Sequence, residues 1–310
     1  MVTILMAAYN GEKYIGQQIE SILGQTYEDW KLIVRDDGSS DETWDVVNRY
    51  ALKYPDRIRL LPRGENSGSA ANNFFMLMPM ADGEYVMFSD GDDVWLPEKI
   101  RVTLDKMHEI ECKVSTDLPI LVHTDLMVVD SCLNCVSKSM FGFQKLDPTR
   151  NGLNHLLVQN IVSGCTVMVN RKLIDMAGTK PANAVMHDWW LALIAAACGQ
   201  IGFVPEPTIL YRQHANNAVG ARRVSGLAYV VKRLAFVPAL RKDLMALFQQ
   251  ASDFLGHYQS DMAPPMIEIL QDFISVPSLG ILSRYRIFHR HDIWKNGFLR
   301  KAGQLLLSRA

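Results

Sequence analysis

The chain opens on an apolar run, Val2 to Ala8, that reads as a buried strand. Behind it Ile15, Ile19, Ile22 and Leu23 recur at helical spacing and predict an amphipathic helix with one buried face. Trp30 to Val34 predict a second strand, which stops at the turn cluster Asp36-Asp37-Gly38-Ser39-Ser40-Asp41. Ser39 and Glu42 stand at the spacing of a capping box and predict that the next helix opens there. Ile58 to Leu61 supply a third strand, and a helix is expected from near Ser69. Tyr85 to Phe88 are a fourth apolar run, and Pro97 fits the first turn of a helix reaching about His108.

This alternation of strand and helix predicts a mostly parallel sheet with helices on both faces. Ile120 to Val129 and Cys165 to Val169 add strands, and Leu191 to Cys198 read as a buried helix after His187-Asp188-Trp189-Trp190. From about Val224 the pattern turns to helices without strands, divided by Pro264-Pro265 and Pro277. The division expected is therefore an α/β unit over 1–223 and a helical region over 224–310. No internal repeat or low-complexity stretch interrupts either part.

Composition narrows the classes of function. Hydrophobic residues make up 48% of the 310, enough for a packed core. A formal net charge of −1 offers no global field for nucleic acid. Five cysteines are too few and odd for a disulfide framework, and Cys132-x-x-Cys135 lacks a second pair of zinc ligands nearby. No basic leader precedes the first apolar run, and no stretch has transmembrane length, so the expectation is a cytoplasmic protein.

The candidate chemistry sits at strand ends. The fourth apolar run ends in Asp90-Gly91-Asp92-Asp93, three carboxylates that repel one another unless a cation or donors neutralise them. Hard divalent cations suit such oxygens and bridge them to substrate phosphates. Ala8-Tyr9-Asn10 and Asp36-Asp37 end the first and second strands, and polar strand ends on one edge of a parallel sheet build a single crevice. Asp37 suits either a base or ribose contact or an Asx turn. Glu65 to Asn72 run through Asn66, Gly68 and small residues toward a helix start, where a phosphate or ribose can approach closely. The dinucleotide fingerprint Gly-x-Gly-x-x-Gly and the Walker loop are both absent.

Taken in order, these segments resemble glycosyltransferase family 2, the sugar transferases of GT-A fold. The resemblance runs from about Val2 to Gly220 and rests on Tyr9-Asn10 with Tyr14, Asp36-Asp37-Gly38-Ser39, Asn66-x-Gly68, and Asp90-x-Asp92-Asp93 with Trp95. His187-Asp188-Trp189-Trp190 and Tyr211-Arg212-Gln213-His214-x-x-Asn217 look most like its bacterial rhamnosyltransferase branch. The resemblance implies a Rossmann-like mixed sheet flanked by helices, with a helical C-terminal extension. It implies donor contacts from Ala8, Tyr9, Asn10, Asp36, Asp37, Asn66, Gly68, Asp90, Gly91 and Arg212. Asp90, Asp92 and His214 would hold Mg²⁺ or Mn²⁺, and Trp95, His187, Trp189 and Trp190 would face the acceptor. Asp188 would be the base of an inverting transfer, although a carboxylate at a helix start also serves as a cap. The implied donor is dTDP-rhamnose, with a UDP-sugar as the alternative. The implied acceptor is a hydroxyl of a lipid-linked, cell-surface polysaccharide precursor.

Two other classes share some of these features. Asp90-Gly91-Asp92-Asp93-Val94 is similar to the nucleophile motif of haloacid-dehalogenase phosphatases, but that motif usually follows the first strand and here three precede it. A non-catalytic glycan-binding module would not need Asp188 beside an acidic cluster. In the tail, Arg284, Arg286, Arg290, Lys295, Arg300, Lys301 and Arg309 interleave with apolar residues against the single acid Asp292. That pattern suits peripheral contact with an anionic membrane or a homodimer contact.

Overall fold

The computed structural model describes residues 1–214 and 237–309. Strands β1 (Val2–Ala8), β2 (Trp30–Asp36), β3 (Ile58–Leu60) and β4 (Tyr85–Asp90) are parallel and lie side by side in the order β3-β2-β1-β4. The sheet then continues through β8 (Met168–Asn170), β6 (Ile120–Val129), β9 (Gln200–Arg212) and β5 (Val94–Trp95), with β7 (Cys135–Ser137) beside β6. β8 runs antiparallel to both neighbours, as β5 does to β9, so the sheet is mixed. Flanked by helices and followed by more of them, it has the GT-A-like architecture.

The strands read as continuous apolar runs because both faces are covered. Successive side chains point to opposite sides: Leu5, Ile33, Val86 and Phe88 join one core, and Ile4, Met6, Leu32, Val34 and Met87 the other. Helix α1 (Ile15–Leu23) buries Ile15, Ile19 and Ile22 in the second core, with α2 (Thr43–Lys53) beside it. Helix α3 (Ala70–Leu77) starts where expected, capped by Ser69, whose hydroxyl accepts the Asn72 N–H. Helix α4 (Lys99–Glu111) begins two residues after Pro97, which lies in the preceding turn rather than in the helix. Short helices α5 (Met140–Gln144), α6 (Leu153–Leu156) and α7 (Arg171–Ala177) lead to α8 (His187–Cys198).

Helices α9 (Val237–Tyr258), α10 (Pro264–Ser275), α11 (Ile281–Arg290) and α12 (Phe298–Leu307) follow, with Pro264 opening α10 and Pro277 in the turn after it. Phe254 of α9 meets the Trp190 ring edge-on at 5.4 Å, and both belong to the first core. The boundary expected at 223/224 lies outside the described residues, as does Asn217.

Several local expectations are corrected. No capping box forms between Ser39 and Glu42: the Glu42 N-cap makes no side-chain bond, and the Ser39 hydroxyl instead binds Asp36. Asp41 accepts the Thr43 N–H at 3.0 Å and takes over the turn. Cys165 lies in a tight turn over Gly164–Thr166, and the strand there begins only at Met168. Helix α8 starts four residues before Leu191, so Asp188 sits inside its first turn. The long β9 was not foreseen.

Candidate active site

Sheet register gathers the polar strand ends. Ala8 lies opposite Asp36 and Ala7 opposite Asp90, which brings Tyr9, Asp37 and Gly91 to one edge. They border a cavity of about 1260 Å³, which Asn10, Asn66, Asp92, Asp188 and His214 also line.

On one side of it, Asn10 takes a left-handed conformation (φ 46) and its side chain accepts the Ser40 N–H at 2.9 Å. Asp37 is buried and ion-paired with Arg35, and it accepts the N–H and the hydroxyl of Ser67, both at 2.8 Å. The Asn66 side chain donates to the Asp37 carbonyl at 2.9 Å, locking this loop to the next. Gly38 (φ 75) permits the approach, since a Cβ there would stand 3.2 Å from the Asn66 nitrogen. Asp36 is a different case. Both of its oxygens are engaged by Ser39, and it does not line the cavity, so it shapes the loop rather than sharing Asp37's place.

On the other side lies the acid cluster. Asp90 is half-buried, and burial together with the charges of Asp92 and Asp188 pushes its pKa up to about 7. Asp92 Oδ2 lies 2.8 Å from His214 Nε2, and that imidazole stacks on Tyr14 at 5.1 Å. Asp93 is fully buried behind them. Its Oδ1 accepts the Arg212 N–H at 3.1 Å, and burial holds its pKa well above the usual range.

Arg212 does not line the cavity. Its guanidinium donates to the Asp92 carbonyl (2.8 Å), the Ser131 carbonyl (2.9 Å) and Gln17 Oε1 (2.7 Å), and lies over the Tyr14 ring at 4.5 Å. The expected diphosphate clamp is thus a buried strut that carries the end of β9 against the acid loop. Among the described residues, the ligand atoms of Asp90, Asp93 and Cys165 lie within 4.8 Å of one another, whereas the expected Asp90, Asp92 and His214 do not form so tight a group. Burial keeps the Cys165 thiol from ionising, so the set offers oxygens rather than a soft thiolate. Asp90 and Asp92 face the cavity, and two carboxylates with an imidazole behind one of them fit a hard divalent cation.

Helix α8 delivers the remaining groups. Asp188 Oδ1 accepts the Trp189 N–H at 2.6 Å, the Gly164 N–H also reaches the carboxylate, and burial pushes its pKa up to about 6. His187 is packed on Phe74 with ring centroids 4.0 Å apart, and burial depresses its pKa to about 3, so it is neutral at physiological pH. It borders the cavity, as does Trp189, whose Nε1 is held by the Leu156 carbonyl at 2.6 Å. Trp95 and Trp190, expected to face the acceptor, are core side chains instead. Trp190 is fully buried with its Nε1 near Tyr258 Oη (3.3 Å), and Trp95 lies under the Lys99 ammonium at 4.7 Å; neither lines the cavity.

Two residues packed around the site escaped sequence reasoning. Gly164 packs so closely on α8 that a Cβ would stand 2.9 Å from His187 Nε2; Ser163-Gly164, a small pair before a strand, was its one sequence trace. Lys99 is fully buried near Asp93, and burial lowers its pKa to about 7. A lysine after Pro97-Glu98 gives no hint of burial.

A mixed α/β sheet flanked by helices, with this carboxylate edge, is a GT-A-like fold. The glycosyl transferase family 2 profile matches residues 3–123. The dTDP-rhamnosyl transferase RfbG of Shigella flexneri is 31% identical over 238 residues, covering 75% of this chain and 78% of that protein. The chain belongs to glycosyltransferase family 2 and is a glycosyltransferase. The uncharacterized glycosyltransferase RP339 of Rickettsia prowazekii is 31% identical over 222 residues, 69% of this chain and 64% of its own. Another curated relative is matched over only 35% of its length. Among solved structures, the mannosyltransferase PcManGT of Pyrobaculum calidifontis, in complex with GDP-Man and Mn²⁺, superposes with a TM-score of 0.56 at 18% identity, over 98% of this chain and 78% of that one. S. aureus TarS 1-349 with UDP-GlcNAc gives 0.55 at 16% identity, over 99% and 90%. At such identity these two carry the fold alone.

Proposed function

We propose that the cavity binds a nucleotide-diphospho-sugar and transfers its sugar, with inversion, to a hydroxyl of a lipid-linked polysaccharide precursor. The observation that carries this reading is Asp188, a carboxylate with a raised pKa that shares the cavity with Asp90 and Asp92. In the reaction the acceptor oxygen bonds to the anomeric carbon as the bond from that carbon to the diphosphate breaks. Asp188 takes the hydroxyl proton, and the nucleoside diphosphate leaves with the bonding electrons. Asp90 and Asp92 would hold Mg²⁺ or Mn²⁺, which neutralises charge on the leaving diphosphate. His214 orients Asp92.

The base sits at Asp37. Two charge-assisted bonds reach its Oδ1 and one reaches Oδ2, so Oδ2 retains a lone pair. Thymine and uracil both present an N–H between two carbonyls, which that oxygen suits. The donor of first choice is dTDP-rhamnose, in keeping with the named activity of the Shigella relative. A UDP-sugar is the second reading, because it shares the same base edge and TarS is described with UDP-GlcNAc.

The test is nucleoside diphosphate release over a panel of dTDP-, UDP- and GDP-sugars with Mn²⁺. Release from dTDP-rhamnose at least tenfold faster than from the others is expected. Preference for a GDP-sugar would overturn the pyrimidine reading at Asp37, and no release from any of these donors would overturn the donor reading as a whole.

A further inference from the structure

The last two helices leave an apolar face that nothing in the described structure covers. Helix α11 packs inward through Arg284 and Phe288 and turns Leu282, Tyr285, Arg286 and His289 outward, at positions i, i+3, i+4 and i+7. Helix α12 buries Gln304 and exposes Phe298, Leu299, Lys301 and Leu306. The exposures are large for such side chains: 72% for Leu282, 84% for Phe298 and 64% for Leu306. Scattered apolar residues are normal on a surface, but six of the large exposed ones fall within these two adjoining helices. The helices are joined directly, through Arg284 Nη1 and the Leu305 carbonyl at 3.1 Å.

The charge around this face is predominantly basic. Residues 281–309 carry seven Lys and Arg against Asp292 alone. Arg284 is spent internally and Arg290 pairs with Glu268 at 2.6 Å, but Arg286, Lys301 and Arg309 are exposed. Beside Phe298 a small cavity of about 230 Å³ is lined by Arg150, Asn296, Gly297 and Lys301, which places two cations next to the most exposed aromatic ring among the described residues.

We infer that this α11–α12 face docks on an anionic lipid bilayer, with Leu282, Phe298, Leu299 and Leu306 entering the interface and Arg286, Lys301 and Arg309 at the headgroup phosphates. Charge complementarity selects this occupant over a second copy. An isologous contact would set the same basic face against itself, and the cores of protein interfaces are depleted in lysine. A bilayer with a negative surface meets both the apolar and the basic groups. The inference rests on the surface alone and stands or falls independently of the donor.

The experiment is co-sedimentation of the full chain with vesicles of phosphatidylcholine containing about one third phosphatidylglycerol, against pure phosphatidylcholine. At low salt most of the protein is expected with the anionic vesicles and little with the neutral ones. Raising salt tenfold should release much of it, since surface attraction is screened. Leu282→Glu, Phe298→Glu and Leu306→Glu combined should cut the bound fraction at least tenfold, with melting temperature and donor hydrolysis unchanged. Arg286→Glu with Lys301→Glu should abolish the preference for anionic vesicles without touching the apolar anchors. No binding at low salt, or binding indifferent to both variants, overturns the inference. So does sedimentation velocity showing a dimer that the triple variant dissolves, which assigns the face to a second copy.

Discussion

Asp188→Asn is expected to stabilise the protein while removing its activity. The rise of the Asp188 pKa from 3.8 to about 6 corresponds to about 3 kcal/mol against the charged form in the folded state. Below pH 3.8 the carboxyl is protonated in folded and unfolded chains alike and contributes nothing to the difference. Between 3.8 and about 6 the folded state holds the proton that the unfolded chain has lost, so stability falls as pH rises. Above about 6 the full penalty is present. Asparagine has no charge to bury, and its amide oxygen still accepts the Trp189 N–H that Asp188 accepts at 2.6 Å. Its gain at pH 8 should be about 1–3 kcal/mol, which at roughly 2–4 °C per kcal/mol raises the melting temperature by several degrees. At pH 4 the difference should shrink to well under 1 kcal/mol, because the folded state keeps its proton and the unfolded carboxyl is only about half ionised.

Turnover should move the other way. Loss of a general base costs roughly 10²–10⁴-fold, and the native enzyme should show a limb in kcat that rises with pH to a plateau above about 6. The assays are nucleoside diphosphate release, calorimetric donor affinity and thermal melting, on one preparation of each protein at pH 4 and 8. Donor affinity should stay within about twofold, because the acceptor's proton is not involved in binding the donor. Retained turnover would remove Asp188 from the mechanism. Destabilisation at pH 8 would refute the burial argument even if turnover fell.

Two further predictions concern the same cavity. Asp92→Asn keeps the shape but removes a charge from the cation site and weakens the bond to His214, so the Mn²⁺-dependent part of nucleoside diphosphate affinity should be lost by calorimetry; equal affinity with and without chelator in the native chain would exclude the metal role. Gly164→Ala puts a Cβ 2.9 Å from His187 Nε2 and 3.5 Å from Asp188 Cβ, so it should lower kcat more than donor affinity and cost about 1–3 kcal/mol of stability; a variant with native kcat would show that the first turn of α8 need not be held so closely.

The half of the sheet that carries the carboxylate edge was legible because its strands are buried on both faces and stop at charged turns. β1 and β6 emerged with their boundaries intact, and the helix expected from near Ser69 is α3, with Ser69 as the cap that the structure adds. β9 was illegible for a physical reason. Its middle reads Val204-Pro205-Glu206-Pro207, and proline is excluded from the hydrogen-bonded interior of most sheets. Here the pairing with β6 slips on both sides of Asp125, which stands opposite Pro207, and β5 pairs only with Ile209 and Leu210. The irregularity spares the prolines a ladder bond that they cannot make.

The site shows a second kind of limit. Strand-end pattern pointed to Asp37, Asp90 and Asp92, and the family resemblance added Asp188 and His214, all of which line one cavity; neither reports which way a ring or guanidinium turns. Trp95 and Trp190 stand beside motif residues and look like sugar platforms, yet alternation along β5 and the inner face of α8 sends both into the core. Arg212 looks like a phosphate ligand for the same reason. Its partners, Asp93 at a separation of 119 residues and Gln17 at 195, exist only once β9 lies against the acid loop. A contact of that span leaves no local pattern, so its role becomes visible only when the sheet has closed. What closure then reveals is a division of labour: Asp93 and Arg212 fix the loop from behind, and Asp90 and Asp92 keep their oxygens toward the cavity.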